Sequence, residues 1–226
     1  MDASPNNASA DLSPELACPI DRRSHLREDG DGRAHRDAVF MLARASEVHD
    51  EDTGSHLQRI RMLVRHIAQR LGFTEDEAEA LGCDAMLHDI GKLRVPVDVL
   101  KKPEAFTPRE RDLMQQHALR GERLLLGLPG MQRAARIARH HHERWDGGGY
   151  PDGLAGEAIP LEARITAAAD VLDALIAARC YKQSWSYEDA LREVLALSGS
   201  HLDPRVVTAL RSADEEAALR PIFRLG

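Results

Sequence analysis

Apolar residues return at three- and four-residue steps along most of this chain. Val39, Leu42 and Ala43 open the pattern, and Leu57, Ile60, Leu63, Val64, Ile67 and Leu71 continue it, which predicts two amphipathic helices with one face in a core. Start signals then recur. Thr74 with Glu77 and Thr107 with Glu110 have capping-box spacing, the second with Pro108 at the first helical position, while Ser186 and Pro204 mark two later starts. Helices are predicted near 75–88, 108–126, 130–142, 161–178, 187–198 and 204–212. Between Asp146 and Pro160 the periodicity gives way to five glycines and two prolines in fifteen residues, the composition of a structured loop. Residues 1 to about 35 are Pro-, Asn-, Ser- and Asp-rich with little apolar periodicity, and are expected to form a mobile tail because they cannot offset the entropy of ordering. One domain, 36–226, is the expectation for the rest.

Composition sharpens the fold class. Of the 226 residues 43% are hydrophobic but only 4% aromatic, and the abundance of Ala, Leu and Arg favours helices over strands. An all-α fold follows. A net charge of −7 excludes a protein that grips long nucleic acid through a broad basic footprint. Cys18, Cys83 and Cys180 lie far apart, so neither a disulfide framework nor a thiolate zinc site is indicated. The N-terminus lacks a secretory signal, and no apolar run reaches the roughly 20 residues needed to cross a bilayer, so a cytoplasmic protein without membrane insertion is expected.

Candidate chemistry comes from eleven histidines, unevenly placed. His88 and Asp89 close an apolar helix, with Gly91 permitting a sharp turn and Lys92 following. Taken alone, such a pair is an ordinary capping dipeptide. His140, His141 and His142 end another helix, where they read either as a cationic cap on the helix dipole or as neighbouring metal ligands. Asp170 is the least expected residue, because the run from Ile165 to Ala178 is otherwise nearly all apolar. Burying a carboxylate there costs several kcal/mol unless it is paired; Arg164 is one candidate partner and a metal ion the other. Asp173 shares its face. His56 and His117 each project from an amphipathic helix, either as hydrogen-bonded core histidines or as ligands; His25, His35, His49, His66 and His201 are assigned no role. Imidazoles and carboxylates from several helices, without thiolates, suit iron or manganese, and two such metals a few ångströms apart form a recurring device for phosphate-ester hydrolysis.

HDIGK at His88–Lys92 and HHERWDGGGYP at His141–Pro151 together resemble the two signatures of the HD-GYP family, a branch of the HD-domain phosphohydrolases. DTGSHLQR at Asp52–Arg59, VPVDVLKKPEAFTPRE at Val95–Glu110 and IPLEARITAAADVLDALIAARCYK at Ile159–Lys182 are similar to further family segments in the same order. The resemblance implies an HD-domain helical bundle with a glycine-rich GYP loop. It also implies hydrolysis of cyclic di-GMP to pGpG, with GMP as the further product, and diguanylate cyclases of the GGDEF class as partners. His56, His88, Asp89, His117, His141, His142 and Asp170 would ligate two divalent metals, iron or manganese, with Asp89 bridging. Asp89 and Lys92 would be the catalytic residues; Lys92, Gly149, Tyr150, Pro151, Asp173, Arg179 and Lys182 would line the substrate pocket. Asp52 stands where some members use glutamate for a third metal, and its shorter reach argues for two. Cys180 replaces a proline beside Arg179, and Gly148 a common serine. Two other readings stand beside the hydrolase: a non-catalytic cyclic di-GMP receptor, and a hydrolase of another cyclic dinucleotide.

Overall fold

The computed structural model describes residues 39–44, 55–176, 185–215 and 217–224. The predicted tail, Asp52 and the segment carrying Arg179, Cys180 and Lys182 lie outside them. Among the described residues there is no strand, only an isolated bridge between Ser198 and Leu202, so the all-α expectation holds. Residues 39–44 are helical. The helices that follow are α1 (Ser55–Arg70), α2 (Glu75–Ala85), α3 (Val97–Leu100), α4 (Pro108–Gln115), α5 (His117–Leu126), α6 (Gln132–His140), α7 (Leu161–Ile176), α8 (Tyr187–Ala196) and α9 (Pro204–Glu215). Three 3-10 turns accompany them, at Ile90–Arg94, Gly156–Ala158 and Arg220–Arg224.

α1 packs against α2, α7 and α9, because its apolar stripe from Leu57 to Ala68 is fully covered. α7 is apolar on nearly every side, and its Ala163, Ala167, Ala168 and Ala169 are buried; short side chains let neighbouring helices close in at interior density. Two clusters result. One joins α1, α7 and α9 through Ile60, Leu63, Ile67, Ile165, Leu172, Val206 and Leu210. The other joins the end of α2 to α5 and α6 through Leu87, Ile90, Leu125, Ala134 and Ala138. Both predicted capping boxes form, with the Thr74 and Thr107 hydroxyls accepting from Glu77 N and Glu110 N, each worth about 1 kcal/mol.

Two helices end earlier than their periodicity suggests. The stretch predicted as 75–88 leaves the α-helix at Ala85, and 108–126 is interrupted at Gln116. The second break has a local cause: His117 Nδ1 donates to Met114 O at 2.8 Å, taking the carbonyl that an unbroken helix would offer to Ala118 N.

Gly91 lies in the 3-10 turn Ile90–Arg94, and its lack of a side chain serves a further purpose there. It is absent from the glycines with positive φ; what it provides is close approach. A Cβ there would lie 1.9 Å from His117 O and 2.5 Å from Gly121 N, so the 3-10 turn and α5 touch backbone to backbone. Gly91→Ala is therefore expected to force them apart and destabilise the fold by about 1–3 kcal/mol or more. Urea denaturation of the variant checks this, an unchanged midpoint refuting it.

Candidate metal centre

Three histidines sit at or just beyond helix ends, where the last carbonyls lack intrahelical donors. His88 Nδ1 donates to Ala85 O at 2.8 Å, His117 Nδ1 to Met114 O at 2.8 Å and His141 Nδ1 to Ala138 O at 3.1 Å. Each ring thus caps its own helix three residues back. A carbonyl can only accept, so each Nδ1 carries a hydrogen and the neutral ring keeps a bare lone pair on Nε2. Capping and ligation, alternatives in the sequence, are compatible through opposite edges of one ring.

These lone pairs converge. Nitrogens of His117, His141 and His142 and an oxygen of Asp89 lie within 4.8 Å of one another, and a second such group comprises His56, His88 and Asp170. Asp89 presents an oxygen to each: Oδ1 is 3.2 Å from His117 Nε2 and 3.7 Å from His141 Nε2, while Oδ2 is 3.4 Å from His88 Nε2. The fit to a cation is specific. His117 Nε2 and His141 Nε2 face each other at 3.4 Å with no hydrogen required on either, and the buried atoms His88 Nε2 and Asp89 Oδ1 have no aligned hydrogen-bond partner. Acceptors aimed at acceptors in a buried site are costly unless a positive ion sits among them.

Protonation tells the same story. His117 is pushed down to about 4 by burial and by neighbouring His141, against the pull of Asp89, and His142 is driven well below its usual range by burial and His141. Both rings are neutral donors at pH 7. His88 behaves oppositely: burial disfavours its charge, but Asp89 and Asp170 outweigh that and raise it to about 9. Without metal, a proton compensates the two carboxylates. Metal binding at neutral pH should therefore release at least one proton, with affinity rising about tenfold per pH unit toward pH 9 and levelling above. Calorimetric titration of Mn²⁺ in buffers of different ionisation heat measures it; identical heats would exclude the release. In the metal-free chain the same proton stabilises the fold fully below His88's ordinary value of 6.5, and the contribution fades as pH rises through about 9.

His56 is held by a carboxylate instead of a carbonyl. Its Nδ1 donates to Asp173 Oδ2 at 2.6 Å, and Arg59 Nε donates to Asp173 Oδ1 at 2.5 Å. Arg59 also reaches Asp173 Oδ2 at 3.2 Å and Ser55 Oγ at 3.0 Å, so the guanidinium grips the carboxylate with two nitrogens. Asp173 is 1% exposed. Burial works against its charge, yet the bonds from His56 and Arg59 keep it below the usual carboxylate range. Both Asp173 oxygens are thus bonded to His56 and Arg59. Arginine compensation in α7 falls on Asp173, while Arg164 pairs with Asp203 at 2.5 Å. Asp170 lies 3.8 Å from His88 Nε2 with its side chain 24% exposed, less buried than the apolar run suggests.

The glycine-rich loop is fastened to the end of α6. Glu143, 2% exposed, accepts from Asp152 N at 2.7 Å and Leu154 N at 3.1 Å. Gly149 lies against the backbone it returns to, since a Cβ there would be 2.4 Å from Arg144 N and 2.6 Å from His142 O. Tyr150 N bonds to His142 O at 3.3 Å, and its ring stacks on His142 with centroids 4.8 Å apart, just before the cis Tyr150–Pro151 bond. Burial together with Asp89 and Asp170 raises the Tyr150 phenol, which stays a neutral donor. Lys92 lies 2.5 Å from Asp89 Oδ2. It and the rings of His88 and His141 hold the Asp89 carboxyl well below its usual range despite burial.

The structure thus gathers His56, His88, Asp89, His117, His141, His142, Asp170, Lys92 and Tyr150 around one centre, with Gly149 and Pro151 in the adjoining loop. Sequence reasoning gave Arg59 and Glu143 no role. Arg59 left a trace, falling on the buried face of an amphipathic helix one turn beyond His56; Glu143 left none, because its partners are backbone amides.

Comparison with known proteins identifies the family. A family model described as HD domain matches residues 41–206. The chain is 46% identical over 177 residues to the cyclic di-GMP phosphodiesterase response regulator RpfG of Xanthomonas campestris pv. campestris, covering 77% of this chain and 47% of that protein. It is 40% identical over 188 residues to 3'3'-cGAMP-specific phosphodiesterase 2 of Vibrio cholerae, covering 82% and 36% respectively. It therefore spans about half the length, or less, of these curated relatives. Among solved structures, that of a cyclic GMP-AMP specific phosphodiesterase of V. cholerae (V-cGAP3) superposes with a TM-score of 0.62 at 24% identity, over 83% of this chain and 49% of that one, which speaks to the fold. With the His88–Asp89 pair seated in the centre and the Gly149–Pro151 loop stacked on its rim, the chain belongs to the HD-domain family, in its HD-GYP branch.

Proposed function

We propose that this chain is a metal-dependent phosphodiesterase acting on cyclic di-GMP, cutting it to pGpG or on to GMP. The observation that carries the reading is Asp89, whose two oxygens face two separate groups of ligand lone pairs, so that it would contribute a donor to a divalent ion held by either group. Iron or manganese suits the imidazole and carboxylate donors. When bound, such ions supply Lewis acidity toward the phosphate and lower the pKa of water at the site.

The chain's own residues do the rest. Asp89, flanked by Lys92 and three imidazoles, fixes the spacing between the two ligand groups. Lys92 is partly exposed beside Asp89 and can turn its ammonium to the phosphoryl oxygens, where negative charge grows during displacement. Tyr150, neutral and stacked on His142, offers a hydrogen bond and an aromatic face at the rim. Arg179 and Lys182 belong to the proposed substrate contacts by resemblance. A cytoplasmic location and contact with diguanylate cyclases rest on that resemblance as well.

The deciding experiment is chromatography of cyclic di-GMP incubated with protein purified anaerobically and supplied with Fe²⁺ or Mn²⁺. A His88→Ala, Asp89→Ala variant serves as control. pGpG or GMP from wild type alone is the expected result; no product despite two bound metals would shift the reading to a receptor. The 40% identity to a 3'3'-cGAMP-specific phosphodiesterase supports a second substrate, and 3'3'-cGAMP in the same assay decides which messenger turns over faster.

A further inference from the structure

One cleft lies outside the ligand groups already described. It offers about 390 Å³, open to solvent, and three of its four lining residues, Arg94, Arg120 and Arg123 beside Leu124, are arginines. In a chain of net charge −7 they would be expected to find acids. Arg120 donates instead to Arg94 O and to Gln116 Oε1, both neutral, and among the described residues neither Arg94 nor Arg123 is paired with a carboxylate. Glu122, between Arg120 and Arg123 in sequence, is bonded to Arg139. The side chains of Arg94 and Arg123 are exposed, and three positive charges on residues bordering one cleft favour an anion there.

The geometry points to a phosphate-binding site in this cleft. Planar guanidinium forks suit phosphate oxygens two at a time, which a carboxylate-lined or apolar cleft cannot do. Its walls are the two elements that also carry the centre: Arg94 follows Lys92 on the 3-10 turn, and Arg120 is one turn beyond His117 on α5. Two sources supply the same chemistry, the second phosphate of a dinucleotide held at the metals or a separate phosphate compound.

The first arm of the test does not depend on the phosphodiesterase reading. Inorganic pyrophosphate is titrated calorimetrically into metal-stripped wild type, into the Arg94→Gln, Arg120→Gln, Arg123→Gln triple variant, and into an Arg192→Gln control. An affinity at least about tenfold weaker in the triple variant alone is expected. Because Arg120 also bonds the 3-10 turn, a double variant at exposed Arg94 and Arg123 is measured too, and it should weaken in the same direction. The second arm rests on that reading and compares KM for cyclic di-GMP and for bis(p-nitrophenyl) phosphate in metal-loaded protein. A rise for the dinucleotide only assigns the site to the substrate's second phosphate; unchanged KM with lost pyrophosphate binding assigns it to a separate ligand. Equal pyrophosphate affinity and equal KM in wild type and both variants would overturn the inference.

Discussion

Asp89→Ala should cost both ligand groups at once. Its Oδ1 faces His117 and His141 and its Oδ2 faces His88, so one truncation removes a donor from each. Hydrolysis is expected to fall by at least about 10³-fold, the scale of losing Lewis-acid stabilisation worth several kcal/mol, and elemental analysis should find fewer than two metals per chain. The variant also leaves Lys92 without the carboxylate 2.5 Å away, but Lys92 is partly exposed and can turn to water, so the fold should survive. Circular dichroism checks that. Two metals retained alongside lost activity would show that Asp89 acts on the substrate and does not bridge.

A second large effect is expected at Asp173, where two consequences can be separated. Asp173→Ala removes the buried carboxylate that Arg59 grips with two nitrogens and should lower stability by about 3–5 kcal/mol. It also frees His56, whose ring edge and tautomer are set by the bond from Nδ1 to Asp173 Oδ2, and losing such a partner typically weakens metal binding about 10–100-fold. Asp173→Asn discriminates. Its amide oxygen can still accept from His56 but no longer neutralises Arg59, so metal affinity should recover further than melting temperature does. Mn²⁺ affinity measured well below both transitions reads the orientation alone. If the alanine variant binds Mn²⁺ as tightly as wild type there, Asp173 is merely an ion-pair anchor between α1 and α7.

How much of this was legible beforehand differs from residue to residue. Leu57 through Ile67 announce α1, and Thr74 and Thr107 announce α2 and α4, because helix periodicity and capping are properties of neighbours in the chain. His88 with Asp89 and His141 with His142 could be singled out for the same reason, and Asp170 stood out as a carboxylate among alanines. The interruption at Gln116 was not legible, since it turns on a ring folding back to Met114 O. Gly91 was read as a turn residue, and its packing against His117 O emerges only when α5 is laid beside it.

Local sequence, then, determined the helices, their starts and the inventory of imidazoles and carboxylates, all set by interactions within a few residues. Tertiary packing decided which of two aspartates on one face of α7 received Arg59 and which was left facing His88. It also brought together the Nε2 atoms of His88, His117 and His141, whose Nδ1 atoms are held locally by carbonyls three residues back, and it stacked Tyr150 over His142 with Glu143 buried beneath the loop. Those outcomes depend on groups far apart in the chain competing for the same few hydrogen bonds, and only the folded arrangement fixes which of them win.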